Sequence, residues 1–127
     1  LPGESIEALV ADLRKLVNDP QIRFEVEPAS RQPAPPSSLE SELYQTIERV
    51  SPAVFPGAIV LPFMSTGATD SAQLRLRQVQ AYGLLPFPLL EEETSRMHAD
   101  DERIPLDSFR KGLEYLSRVV EEFARAK

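Results

Sequence analysis

The stretch between Glu27 and Ser38 sets the strongest limit on how this chain can fold. It carries Pro28, Pro33, Pro35 and Pro36 among Ala, Ser and Gln. That composition offers too little apolar surface for a core, and proline's fixed φ favours an extended geometry of ~3.1 Å per residue. The chain therefore divides into residues 1–27, a proline-rich linker over 28–37, and residues 38–127. With 127 residues in all, it amounts to one ordinary domain or pieces of two.

Before the linker, Ile6, Leu9, Val10, Leu13, Leu16 and Val17 recur at helical spacing. Ser5 is placed to cap this helix and Asn18-Asp19-Pro20 to stop it. Residues 22–27 (Ile-Arg-Phe-Glu-Val-Glu) alternate strictly, the pattern of a half-buried strand. Beyond the linker, Ser37 and Glu40 suggest a capping box. Leu39, Leu43, Ile47 and Val50 then give a second helix, ending before Pro52. The apolar run over 58–63 predicts a strand buried on both faces. A short helix is expected over 71–78 and a further strand over 79–85. Pro105 opens a final helix with a stripe of Leu106, Phe109, Leu113, Leu116, Val120 and Phe123, expected to pack on a sheet. The fold class expected is α/β: a sheet flanked by helices over 38–127, preceded by a helix-strand piece of an α+β domain. No internal repeat is present.

Charge narrows the partners. The net charge is −6 and the sequence pI about 4.8, which argues against a nucleic-acid groove or an anionic membrane surface. No apolar run approaches the roughly 20 residues that span a bilayer. The chain reads as soluble, with cytoplasmic and exported locations both open, since the absence of cysteine excludes only a disulfide framework. Leu1-Pro2-Gly3 reads as the tail of a strand entering a turn, so the chain is expected to be a fragment or processed product.

His98 is the single histidine, in the string Met97-His98-Ala99-Asp100-Asp101-Glu102-Arg103. An imidazole with carboxylates behind it has the make-up of a metal ligand with supporting groups, yet no cysteine or second histidine accompanies it. The alternative is an ordinary loop side chain. Ser65-Thr66-Gly67-Ala68-Thr69-Asp70 follows an apolar run, where α/β folds expose loops to ligands. Gly67 permits close backbone approach and the threonine hydroxyls can donate to an oxyanion or carboxylate. The plainer reading is a turn with Asp70 capping the next helix. A serine hydrolase using Ser65 and His98 lacks the glycine-flanked nucleophile such a site requires.

Taken in order, Leu1-Pro2-Gly3-Glu4-Ser5 before a helix, Gly67-Ala68-Thr69-Asp70 after an apolar run, Tyr82-Gly83 with prolines following, and His98-Ala99-Asp100-Asp101-Glu102-Arg103 before the last helix resemble the aminoacylase and glutamate carboxypeptidase family of co-catalytic zinc peptidases. The resemblance covers nearly the whole chain. It implies that residues 1–27 are the second half of a lid or dimerisation domain and residues 38–127 the closing part of a catalytic domain. It implies that His98 is a zinc ligand, that Glu102 positions it, and that Gly67, Thr69 and Asp70 lie against the substrate. Arg75, or Arg77, is a candidate for the substrate carboxylate by offset alone, because Ser71-Ala72-Gln73 occupy the place where many members carry arginine.

The activity implied is hydrolysis of a peptide or N-acyl-amino-acid amide by a water shared between two zinc ions. The base glutamate and the other ligands are expected before Leu1, so no catalytic residue is assigned here and the chain alone is expected to be inactive. The implied partners are that substrate, the preceding part of the same protein, and a second copy in a homodimer. A reading of another class is a non-catalytic α/β domain for dimerisation or binding that keeps the family outline.

Overall fold

The structure, a computed structural model, describes residues 5–27, 34–65, 67 and 69–125. Five helices follow one another: α1 (Ile6–Val17), α2 (Glu42–Val54), α3 (Ser71–Leu76), α4 (Glu91–Thr94) and α5 (Leu106–Arg125). Most of the 28–37 linker lies outside the described residues.

Local chemistry accounts for the helix ends. The Ser5 hydroxyl accepts the Ala8 N–H at 3.0 Å, and Asn18 closes α1 in the left-handed region at φ 46° with its N–H on the Arg14 carbonyl. Asparagine tolerates that conformation better than most residues. Helix α2 starts a turn later than the capping-box pattern suggests: Ser41 caps it, accepting the Tyr44 N–H at 3.1 Å. The helix also runs through Pro52, whose ring removes only the bond to the carbonyl of Glu48, an exposed residue. Helix α5 opens as expected, with the Phe109 N–H on the Pro105 carbonyl at 2.9 Å.

The core is small. Among the described residues α2 and α5 are the one pair of helices in contact. Between them lie Ile47, Val50, Tyr115 and Val119, with Leu43, Val54, Phe55 and Val60 packed against these. Phe55 meets Tyr115 edge-on, ring centroids 5.3 Å apart. Ser51 Oγ donates to the Ile47 carbonyl at 2.7 Å and lies 2.8 Å from Tyr115 Oη. A hydroxyl carries one hydrogen, so Tyr115 donates to Ser51 and both buried groups are satisfied.

The expected α/β class is overturned: no strand occurs among the described residues, and neither the sheet over 38–127 nor the helix-strand unit before the linker is formed. Residues 22–27, 58–63 and 79–85 run without helix or strand. Alternation and apolar runs specify what a strand's side chains need. A strand itself exists only when its N–H and C=O groups meet a neighbouring strand, and none is beside these segments. Val60 reaches the core, while Ile59 is 81% and Phe63 90% exposed.

The stripe on α5 is also placed differently from expectation. The buried residues of α5 are Gly112, Tyr115 and Val119, with Tyr115 and Val119 in the core against α2 and Gly112 against Phe87. They share a face about 90° round the helix from the apolar stripe at 3.6 residues per turn. Leu106 and Val120, on the stripe, are 71% and 65% exposed. Helix α1 likewise has no buried residue.

Candidate functional site

His98 lies in a compact excursion between Leu90 and Pro105. Its base is fixed where Phe87 stacks on Phe109 of α5, ring centroids 6.0 Å apart at an interplanar angle of 15°. Glu91-Glu92-Glu93-Thr94 forms the single turn α4. The Glu93 carboxylate accepts the Leu90 N–H at 2.9 Å, and negative side chains suit the exposed N–H groups of a helix start. Successive turns follow, with the Met97 N–H on the Thr94 carbonyl at 3.2 Å, Ala99 on Arg96 at 2.9 Å and Glu102 on Ala99 at 3.1 Å.

At the tip His98 adopts φ 67°, the left-handed region unfavourable to a residue with a β-carbon. Glu102 Oε2 accepts the His98 backbone N–H at 3.2 Å. Glu102 therefore touches the residue it was expected to position, through the backbone rather than the ring. The imidazole is exposed. Around it runs an ion network that sequence reasoning passed over. Arg96 Nη2 meets Glu92 Oε1 at 3.0 Å, Arg96 Nη1 pairs with Asp101 Oδ2, and Arg103 Nη2 reaches the same Glu92 oxygen at 3.0 Å. The four-residue spacing of Glu92 and Arg96 was the available signal.

The loop after residues 58–63 is described only in part, Thr66 and Ala68 lying outside the described residues. Ser65 Oγ accepts the Gly67 N–H at 3.1 Å, and Thr69 Oγ1 accepts the Ser71 N–H at 3.2 Å. Asp70 occupies the cap position of α3 without a side-chain capping bond, so Thr69 serves the helix start instead. Arg75 turns inward, donating from Nη1 to the Ala81 carbonyl at 3.3 Å, with its Nε buried and unpaired. A depression of about 180 Å³ beside Arg75 is lined otherwise by neutral residues. Tyr82 anchors the next segment to the start of α2 through Ser41 Oγ at 2.5 Å and the Ser38 carbonyl. Among the described residues no hydrogen bond or ion pair joins the 65–70 loop to the His98 excursion.

The donor set does not complete a zinc site. No three of His, Asp and Glu gather to hold a metal ion among the described residues. The carboxylate nearest His98 in function, Glu102, is spent on backbone.

The family description that matches is Peptidase family M20/M25/M40, over residues 4–122. The chain belongs to that family. Among curated proteins this family member is similar to one named "Probable carboxypeptidase S-like 2" from Dictyostelium discoideum, 20% identical over 120 residues covering 94% of the chain and 23% of that protein. It thus spans about a quarter of the length of the curated relative it matches. No solved structure is significantly similar to it. The broad resemblance read from the ordered motifs, to a peptidase family, agrees with the M20/M25/M40 assignment. No helix among the described residues is long and apolar enough to cross a membrane.

Proposed function

We propose that this chain is the C-terminal part of a zinc-dependent exopeptidase or amidohydrolase of the aminoacylase and glutamate carboxypeptidase branch, cleaving a peptide or N-acyl-amino-acid amide. The observation that carries the reading is the family match over residues 4–122, nearly the whole chain. In this reading residues 1–27 belong to the lid or dimerisation domain, 28–37 link back, and 38–127 close the catalytic domain.

His98 is then one metal ligand at the tip of a braced turn, and Glu102 fixes its backbone. Gly67, Thr69 and Asp70 face the substrate. Arg75, held on the Ala81 carbonyl, keeps few donors for a substrate carboxylate, and the exposed Arg77 is the freer cation. A lone imidazole cannot hold the metal, so the other ligands and the base glutamate come from sequence outside this chain. The chain by itself is inactive. A relative of which this chain covers only 23% supports that division.

The test is zinc content and hydrolysis of dipeptides and N-acyl amino acids, measured on the chain and on the full-length gene product. The expected result is metal and activity in the full-length protein and neither in the chain. A full-length protein that binds no metal and cleaves no amide would sink the reading.

A further inference from the structure

We propose that Arg96 is a positioning residue, which bridges Glu92 and Asp101 and so holds the turn that carries His98 in its left-handed conformation. Arg96 acts on both sides of the tip. Its carbonyl accepts the Ala99 N–H at 2.9 Å, closing the turn over His98, and its guanidinium ties the α4 residue before the tip to a carboxylate beyond it. Arg103 returns to the same Glu92 oxygen at 3.0 Å, so both flanks of His98 converge on one carboxylate.

Burial sets this arginine apart. Its side chain is 28% exposed, against 47% or more for every ion-pair partner outside this network among the described residues. Its Nε is enclosed by protein with no partner. Exposed ion pairs contribute little one at a time. Here the pairs share two arginines and bracket a residue at φ 67°, a conformation that needs holding because its β-carbon crowds the backbone. The network therefore sets the shape of the tip, and with it the direction in which the imidazole is presented, rather than the stability of the α2–α5 core. Its value to chemistry rests on the reading of His98 as a ligand; its effect on the turn does not.

The experiment is hydrogen exchange by mass spectrometry on the full-length protein, following peptides over residues 97–102, with α2 and α5 peptides as internal controls. Arg96→Ala should speed exchange at the tip about tenfold and leave α2 and α5 unchanged. Arg96→Lys, whose single ammonium cannot span two carboxylates, should recover only part of the protection. Asp101→Asn should have a smaller effect that adds nothing to Arg96→Ala, since Asp101 acts through that arginine. In turnover, Arg96→Ala should lower kcat with KM held within about twofold. Unchanged exchange at 97–102, full additivity with Asp101→Asn, or acceleration spreading into the core helices would each overturn the proposal. If His98→Ala left activity intact, the ligand reading would fall while the exchange result stood.

Discussion

Phe87 fills the notch that Gly112 leaves in α5. A β-carbon at position 112 would lie 2.3 Å from Phe87 Cδ1 and 3.2 Å from the Pro86 carbonyl oxygen. In an exposed helix, alanine would be preferred over glycine by about 1 kcal/mol. Here the clash reverses the sign: Gly112→Ala must expel the Phe87 ring and part the Phe87–Phe109 stack. The expected outcome is a net loss of about 1–3 kcal/mol in urea denaturation. A variant as stable as the parent would mean that Phe87 does not seat there.

Gln78 invites the opposite substitution. It follows α3 at φ 62°, with its N–H on the Arg75 carbonyl at 2.9 Å and the Val79 N–H on Leu74 at 3.0 Å, the double closure for which glycine is the favoured residue. Glutamine is strained in that conformation, whereas glycine is not, although glycine loses more freedom on folding. Gln78→Gly should therefore stabilise by about 0.5–1 kcal/mol, read as a rise in Tm.

The Ser51–Tyr115 pair predicts non-additivity. Because Ser51 gives its hydrogen to the Ile47 carbonyl, Tyr115→Phe removes the sole donor to Ser51 Oγ and should cost about 1 kcal/mol. Ser51→Ala strands a buried phenol hydroxyl at similar cost. The double variant should lose clearly less than the two together, since neither partner is then left unsatisfied. Full additivity in a thermodynamic cycle would count against the bond.

What the sequence made legible depended on how local the physics is. Ser5, Asn18 and Pro105 announce helix ends because capping is settled within four residues. Ile59, Leu61 and Phe63 call for burial, but whether they form a strand depends on a neighbour the pattern cannot supply. Likewise the apolar stripe of α5 drew attention from Tyr115 and Val119, since a helix with two apolar faces does not say which one meets α2. At the candidate site the string around His98 contains Asp101, Glu102 and Arg103, which the structure ties into the turn by a hydrogen bond and ion pairs. The left-handed backbone at His98 could not be read, because it follows from Glu102 and Arg96 acting together across the turn.

Glu102 separates two ways of supporting His98. If its carboxylate matters as an acceptor for the His98 N–H, at 3.2 Å, then Glu102→Gln should be mild, since the amide oxygen accepts the same bond. Glu102→Ala should free the tip and, in the full-length protein, reduce metal affinity about 10–100-fold, the usual effect of losing a group that orients a ligand. If the negative charge were what mattered, glutamine and alanine would be equally damaging. Zinc titration of the two variants, alongside hydrogen exchange at residues 97–102, distinguishes the cases: the backbone role requires glutamine to stay close to the parent protein in both measurements.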